Sequence, residues 1–90
     1  MRYRVVEQFR VGQAGEIYRR FDQQGRMLPD GLRCVESWVS ADLNVCYQLM
    51  ETDDFGLFAE WTRQWQDLIE FEIVPILPAD EARAEAIASP

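Results

Sequence analysis

The sequence contains no histidine and no lysine, so all nine of its basic residues are arginine. Catalysis by a histidine general base, by a Ser-His-Asp or Cys-His arrangement, or by a lysine Schiff base is therefore excluded within this chain. The missing lysine also excludes a Walker-type phosphate loop, and the missing histidine excludes histidine ligation of a metal or haem. Any catalysis must use carboxylates, tyrosines, arginines or a cysteine, or be done by a bound cofactor, and no cofactor is predicted from the sequence.

Long apolar runs are missing as well. No run approaches the ~20 residues that a helix needs to cross a bilayer, and the opening stretch MRYRVVEQF lacks the apolar core of a secretory signal. We therefore expect a cytoplasmic protein that does not associate with membranes. The only cysteines, Cys34 and Cys46, fall in predicted strands and are expected to be reduced thiols, because nothing in the sequence indicates an oxidising compartment.

The formal net charge of −7 disfavours a nucleic-acid partner, since proteins that bind nucleic acids present a basic surface. The charge is uneven: residues 1–33 hold seven arginines and four acids, whereas residues 34–90 hold two arginines and twelve acids. Binding of a nucleic acid or another anion through Arg19, Arg20 and Arg26 is therefore kept as an alternative. Scattered arginines more commonly form ion pairs at the surface.

A length of 90 residues and a hydrophobic content of 48% indicate one small folded domain. Such a domain buries a modest fraction of its surface, so association with a second copy would stabilise it. We assign residues 1–78 to the domain. Residues 79–90 are rich in alanine and charge, and they are expected to form a helical or frayed tail.

The spacing of the apolar residues predicts six elements in the order strand, helix, strand, strand, helix, strand. Alternation predicts a strand near residues 3–9, and a spacing of three and four predicts a helix over 14–24 that Gly25 ends. Residues 32–52 alternate again and predict an antiparallel hairpin. The last strand is FEIVPIL, which Pro75 places at a sheet edge or bulge. The second helix is predicted from an apolar stripe of Phe58, Trp61, Trp65 and Leu68.

Three acids, Glu51, Asp53 and Asp54, cluster between the hairpin and the second helix. A carboxylate at Asp53 or Asp54 would accept hydrogen bonds from the N–H groups of the first helical turn, which stabilises a helix by about 1 kcal/mol. A hard metal cation needs more oxygen ligands, and the EF-hand pattern is absent. We therefore predict a helix cap here and no metal site.

The order of the elements, with right-handed crossovers, predicts a ferredoxin-like α+β fold. This βαββαβ sandwich has a four-stranded antiparallel sheet with two helices on one face. Four stretches carry further information: GRMLPDGL at 25–32, SW at 37–38, CYQLMETDD at 46–54, and the spaced tryptophans that lead into FEIVPIL at 61–77. Together they resemble a family of short bacterial proteins known as a domain of unknown function and grouped with the dimeric α+β barrels. The resemblance implies that fold and a dimer, and it implies no catalytic residues. One departure is Phe55, where proline would be expected.

Strict alternation divides each strand between a face that the helices cover and a free face. The residues predicted beneath the helices are Tyr3, Val5, Phe9, Val35, Val39, Val45, Tyr47, Leu49, Phe71 and Ile73. The residues predicted on the free face are Arg4, Val6, Gln8, Cys34, Glu36, Trp38, Cys46, Gln48, Met50, Val74 and Ile76. The free face is too apolar to be left in water, which favours a homodimer. Its predicted interface includes Arg4, Val6, Trp38, Gln48, Met50, Val74 and Ile76.

Two kinds of function fit these patterns. The first is binding of a small molecule in a cleft of the dimeric barrel by Glu36, Trp38, Gln48 and Trp61. Glu36 and Gln48 would be neighbours if the hairpin paired Trp38 with Cys46, and a buried Glu36 could act as a general base in a cofactor-independent monooxygenase or isomerase. The second is a structural or interaction module whose free face serves only association. An interface ion pair is the alternative role for Glu36, and core packing is the alternative for Trp61.

Overall fold

The computed structural model describes residues 1–89, which contain four strands and three helices. The strands are β1 (Arg2–Phe9), β2 (Arg33–Val39), β3 (Val45–Glu51) and β4 (Ile69–Ile76), and the helices are α1 (Ala14–Gln24), α2 (Leu57–Thr62) and α3 (Ala79–Ala88). The strands form one antiparallel sheet in the order β2-β3-β1-β4. This topology confirms the predicted ferredoxin-like fold. Helix α3 lies in the predicted tail, whose last residue, Pro90, lies outside the described residues.

Helix α1 has the bounds that its apolar spacing predicts. Ile17 is buried in the core, and the helix ends at Gly25. The φ of Gly25 is 68°, in the left-handed region that glycine adopts without steric cost. The Gly25 N–H donates to the Phe21 carbonyl oxygen at 2.7 Å, which completes the last turn.

Helix α2 is shorter than its apolar stripe. The helix ends at Thr62, and turns carry the chain on to Leu68. Phe58, Trp61, Trp65 and Leu68 are nevertheless all buried. The stripe thus predicts correctly which side chains enter the core, although only the part of it up to Thr62 is helical.

Asp54 orders the turn before α2 and does not cap the helix. The Asp54 carboxylate accepts a hydrogen bond from the Gly56 N–H at 2.9 Å, and the Thr52 hydroxyl accepts one from the Asp54 N–H at 3.0 Å. Gly56 directly precedes the helix and provides no side-chain cap. The predicted cap at Asp53 or Asp54 is therefore wrong in position. Within residues 1–89, no three side chains of His, Cys, Asp or Glu come together in a way that could hold a metal ion.

One face of the sheet carries the core, and α1 and α2 cover it. Three cross-strand rows run across this face from β4 to β2. The rows are Pro75–Tyr3–Met50–Cys34, Ile73–Val5–Gln48–Ser37 and Phe71–Glu7–Cys46–Val39. Strand β4 lies at the sheet edge, as Pro75 predicts.

The side chains of β3 alternate in the opposite phase to the predicted one. Cys46, Gln48 and Met50 are buried beneath the helices. The residues that lie on the free face instead are Val45, Tyr47 and Leu49. The polar Gln48 is accommodated because its amide hydrogen-bonds the Glu7 carboxyl, and Met50 is fully buried beside Tyr3. Placing Gln48 and Met50 in a dimer interface on the free face is therefore wrong.

Strand β2 is irregular near its start. Its register with β3 shifts between Cys34 and Glu36, which makes Val35 the extra residue of a bulge. Cys34 pairs with Met50 on the helix-covered side, whereas Glu36 pairs with Leu49 on the free face. The predicted free-face position of Cys34 is therefore wrong. That prediction, like the inward position predicted for Val35, assumed an unbroken alternation along β2.

The register of the hairpin also differs by one residue from the expected pairing. Trp38 pairs with Tyr47 and not with Cys46. As a result, Glu36 lies on the free face and Gln48 on the covered face. The prediction that these two polar side chains are neighbours is wrong.

The free face mixes apolar and charged side chains in rows. These rows are Ile76–Arg2–Glu51–Arg33, Val74–Arg4–Leu49–Glu36 and Glu72–Val6–Tyr47–Trp38. Ion pairs join some of the charges, including Arg4 to Glu72 at 2.8 Å. Five residues of the predicted dimer interface lie on this face: Arg4, Val6, Trp38, Val74 and Ile76. In the described part of the chain, no helix is both long and apolar enough to span a membrane.

Candidate functional site

A cavity of about 110 Å³ lies between the covered face of the sheet, α1 and the segment around α2. Its apolar walls include Phe9, Ile17, Trp61, Trp65 and Ile69. Its polar groups come from Glu7, Tyr18, Arg26, Ser37, Cys46 and Gln48. Tyr18, Phe21 and Val39 also line the cavity and are partly exposed, so the cavity opens to solvent along that rim.

Glu7 holds an inward position on β1, between Val5 and Phe9 in the alternation of the strand. It is only 5% exposed. Its cross-strand neighbours are Cys46 on β3 and Phe71 on β4. A carboxyl group among such neighbours loses most of its hydration, which disfavours its charged form.

Gln48 supplies the hydrogen-bond partner of Glu7. The Gln48 Nε2 group donates to Glu7 Oε2. Gln48 is itself 5% exposed, and within the described chain its Oε1 atom is buried without a hydrogen-bond partner. An unpaired buried acceptor costs roughly 1–3 kcal/mol, so a donor placed in the cavity would be stabilised there.

Burial raises the pKa of Glu7 to about 7, although a hydrogen bond with the Cys46 thiol and the positive charge of Arg26 both oppose the rise. The carboxyl group is therefore present in both its protonated and its ionised form near neutral pH. A group with this property is suited to accept and to donate a proton.

Two other titratable groups of the cavity, the Cys46 thiol and the Tyr18 hydroxyl, have raised pKa values. Burial raises the pKa of Cys46 to about 11, opposed by a hydrogen bond with Ser37 and increased by the charge of Glu7. The Cys46 sulfur lies 3.4 Å from the Ser37 hydroxyl oxygen. Burial also raises the pKa of Tyr18, with Cys46 and Glu7 adding to the effect. Both cysteines are free thiols, as predicted, and Cys46 is a hydrogen-bonding group and not a thiolate nucleophile.

Arg26 follows the end of α1 and is fixed there by two tryptophans. Its carbonyl oxygen accepts hydrogen bonds from the indole N–H groups of Trp61 and Trp65, each at 3.0 Å. Its guanidinium carbon lies 5.3 Å from the centre of the Phe21 ring. Within residues 1–89 this guanidinium forms no ion pair, and it is the one cationic group among the described residues that line the cavity.

The structure divides the predicted ligand-binding residues between two surfaces. Gln48 and Trp61 line the cavity. Glu36 and Trp38 lie on the free face of the sheet, with Trp38 54% exposed. A single site that contains all four residues is therefore wrong, because the sheet separates the two pairs.

The arginines of the alternative anion-binding surface are also separated. Arg19 forms an ion pair with Glu16 at 3.1 Å, and Arg20 forms one with Asp67 at 2.7 Å. Arg26 lines the cavity. Two of the three cations are thus neutralised by neighbouring carboxylates.

The sequence patterns did not identify Glu7 as a site residue, and they assigned Arg26 to an anion-binding surface with Arg19 and Arg20 and not to a cavity. One feature of the sequence could have identified Glu7. It lies between Val5 and Phe9 in the set of alternate β1 residues that face the core, and a charged residue is rarely buried there without a reason. Nothing in the sequence places Arg26 at the cavity, since its position there depends on the two indole hydrogen bonds to its carbonyl group.

Residues 1–88 match the model of a protein family described as a domain of unknown function (DUF3303). The chain belongs to the DUF3303 family. The DUF3303 chain is also similar to the crystal structure of an uncharacterised NIPSNAP domain protein from Burkholderia xenovorans, with a TM-score of 0.56, 21% identity, and coverage of 88% of this chain and 95% of that chain. At this identity the similarity shows the fold alone, and it agrees with the ferredoxin-like topology. No curated protein matches the chain.

Proposed function

We propose that this DUF3303 protein binds a small molecule in the cavity around Glu7 and Gln48. The observation that supports the proposal most strongly is that Gln48 lines the cavity and that its Oε1 atom is buried without a hydrogen-bond partner in the described chain. Buried polar groups are nearly always satisfied in folded proteins. A ligand that donates a hydrogen bond to this atom would satisfy it.

The lining of the cavity indicates the chemistry of the ligand. Aromatic walls favour a flat, apolar body, and the Glu7 and Gln48 oxygens favour a hydrogen-bond donor on it. The Arg26 guanidinium favours a carboxylate or carbonyl oxygen on the same molecule. The volume of about 110 Å³ is small for a drug-sized ligand, so we expect a body of roughly the size of one substituted benzene ring, partly held at the open rim.

NMR with ¹⁵N-labelled protein tests the proposal, with 4-hydroxybenzoate as the probe. The indole N–H signals of Trp61 and Trp65 and the side-chain amide signal of Gln48 should shift on titration, while the indole signal of the free-face Trp38 should not. A Gln48→Met variant keeps the side-chain length and removes the amide, and it should weaken binding at least tenfold. Gln8→Met, on the exposed side of β1, is the matched control and should bind as the wild type does.

Two results would contradict a ligand site here. One is the absence of cavity-specific shifts with 4-hydroxybenzoate. The other is equal binding by the wild type and Gln48→Met. Either result, together with an intact dimer, would favour the alternative of an interaction module.

We also propose that the free face of the sheet binds a second copy of the chain and gives a cytoplasmic homodimer. The support for this proposal is the mixed character of the face, where Trp38 and Tyr47 are 54% and 44% exposed beside Val6 and Leu49. Arginines and glutamates border these apolar residues, so two copies related by a twofold axis can place opposite charges against each other. A small domain gains stability from such coverage.

Light scattering at micromolar concentration tests the dimer. The wild type should have twice the chain mass of 10.5 kDa. Val6→Glu introduces a charge at the centre of the free face and should give a monomer. Val11→Glu is the same change at a fully exposed turn residue and should leave the dimer intact. A monomeric wild type would end the proposal.

A further inference from the structure

A carboxyl group and a guanidinium group line the same apolar cavity without forming an ion pair. Glu7 lies on the sheet side of the cavity, and Arg26 lies at its α1 side, over the Phe21 ring. The two charges act on each other through space, since the positive charge of Arg26 lowers the pKa of Glu7. A base that takes a proton and a cation that faces the oxygen where negative charge develops are the parts that stabilise an enolate.

We propose that the cavity catalyses proton transfer at the carbon next to the carbonyl group of a small 2-oxo acid, with Glu7 as the base and Arg26 as the group that binds the oxygens. The proposal rests on the proposed ligand site and names the class of its substrate. A 2-oxo acid carries a carboxylate and a carbonyl oxygen side by side. The planar fork of N–H donors on a guanidinium matches such a pair of oxygens.

The step needs no cofactor and no oxidant. The ionised Glu7 carboxylate takes the proton from C3 of the substrate, and the electrons of the broken C–H bond form a C2=C3 double bond. The electrons of the C2=O double bond move onto the oxygen, which gives an enolate beside the Arg26 guanidinium. The acid proton on Glu7 then exchanges with solvent, and its return to C3 leaves a solvent-derived hydrogen there. If the proton goes to the oxygen instead, the product is the enol tautomer.

Three neighbouring groups fit this chemistry. The Gln48 Nε2 donor holds the Glu7 carboxyl group in place through Oε2. The Gln48 Oε1 atom is free to accept a hydrogen bond from the enol hydroxyl or from the substrate. Cys46 does not compete as a nucleophile, because burial raises its pKa to about 11 and keeps the thiol protonated. Gln48 is thus a positioning residue, and Glu7 carries the proton.

Hydrogen–deuterium exchange at C3 of phenylpyruvate in D₂O, followed by ¹H NMR, tests the proposal. The wild type should accelerate the exchange, with a rate that rises as Glu7 ionises around pH 7 and then levels off. Glu7→Gln should lose at least 100-fold of the acceleration, which is the contribution expected of a positioned base. Arg26→Met keeps an unbranched apolar stem and removes the guanidinium over Phe21, and it should lose at least tenfold of the acceleration. Glu36→Gln, an exposed glutamate on the opposite face, should exchange as the wild type does.

Binding of phenylpyruvate is measured on the same samples through the indole signals of Trp61 and Trp65. Binding without accelerated exchange would overturn the proton transfer and leave the ligand site standing. No binding of phenylpyruvate or of 4-hydroxybenzoate would overturn both. Accelerated exchange that persists in Glu7→Gln would also overturn the role of Glu7.

Discussion

Glu7 on β1 and Gln48 on β3 form a hydrogen bond beneath the helices, on the diagonal between two neighbouring cross-strand rows. This bond explains how a glutamate and a glutamine are tolerated in the covered face of so small a sheet. It satisfies one carboxyl oxygen and one amide nitrogen, and it leaves the amide oxygen without a partner in the described chain. This unpartnered oxygen is the atom on which the proposed ligand site rests.

The free energy of unfolding should depend on pH through the titration of Glu7. Its pKa rises from 4.5 to about 7 on folding, so between these values the folded state holds a proton that the unfolded state releases. The stabilisation is complete below pH 4.5 and is lost as the pH rises through 7. Denaturant unfolding should show the wild type losing up to about 3 kcal/mol between pH 4.5 and pH 8 relative to Glu7→Gln. Equal pH profiles for the two proteins would contradict a buried, protonatable Glu7.

The Arg20–Asp67 pair should stabilise the contact between α1 and the segment after α2. The two Arg20 nitrogens donate to the two Asp67 oxygens at 2.9 and 2.7 Å, and the guanidinium carbon lies 5.5 Å from the Trp65 ring centre. Arg20→Met should lower the free energy of unfolding by about 1 kcal/mol. Arg19→Met, which removes the exposed pair with Glu16, should change it by no more than about 0.5 kcal/mol. Urea titrations of both variants measure the two changes in the free energy of unfolding. Equal losses would show that the bidentate geometry of the Arg20–Asp67 pair adds no stability.

Trp61 should be among the largest contributors to the stability of the fold. It is 1% exposed, packs at 5.2 Å from the Phe71 ring centre and donates its indole N–H to the Arg26 carbonyl oxygen. Trp61→Ala should cost about 4 kcal/mol, and Trp38→Ala on the free face should cost less than about 1 kcal/mol. Both are best measured by denaturant unfolding in the Val6→Glu background, where the proposed dimer would not contribute. Similar costs would mean that Trp61 does not fill the core as described.

Two glycines should respond to alanine with opposite signs. Gly31 has a φ of 94°, and a Cβ atom there would lie 3.1 Å from Leu57 Cδ1. Gly31→Ala should therefore destabilise the protein by about 1–2 kcal/mol. Gly15 lies within α1, where a Cβ atom would meet the flexible end of Arg19. Gly15→Ala should stabilise the protein by up to about 1 kcal/mol. Thermal unfolding of the two variants checks the signs.

The order of the elements and the bounds of α1 could be predicted because they depend on local features. Periodicity distinguishes strand from helix within about ten residues, and Gly25 ends a helix through its own backbone conformation. The buried residues of the α2 stripe could be predicted in the same way. Phe58 and Trp61 enter the core whether or not the chain between Thr62 and Leu68 is helical.

The faces of β2 and β3 could not be predicted by the same means. A bulge at Val35 reverses the alternation of β2, and no residue type in the segment marks it. In β3, the apolar set containing Tyr47 and Leu49 competes with a set containing Gln48 for the inward position. The outcome depends on Glu7, which lies 41 residues away in sequence and supplies the partner that makes a buried Gln48 acceptable. The cavity and the place of Glu7 in it were missed for this reason, because they arise from long-range pairing, although Gln48 and Trp61 were predicted as ligand-binding residues and do line the cavity.

The titration of Glu7 itself is the most direct test of the account. With ¹³C in the glutamate side-chain carboxyl groups, NMR follows each carboxyl group through its own pH transition, and Glu7→Gln identifies the signal of Glu7. The account predicts a midpoint of about 7, because burial in the cavity penalises the charged form. A midpoint near 4.5, the ordinary value for a hydrated glutamate, would contradict it.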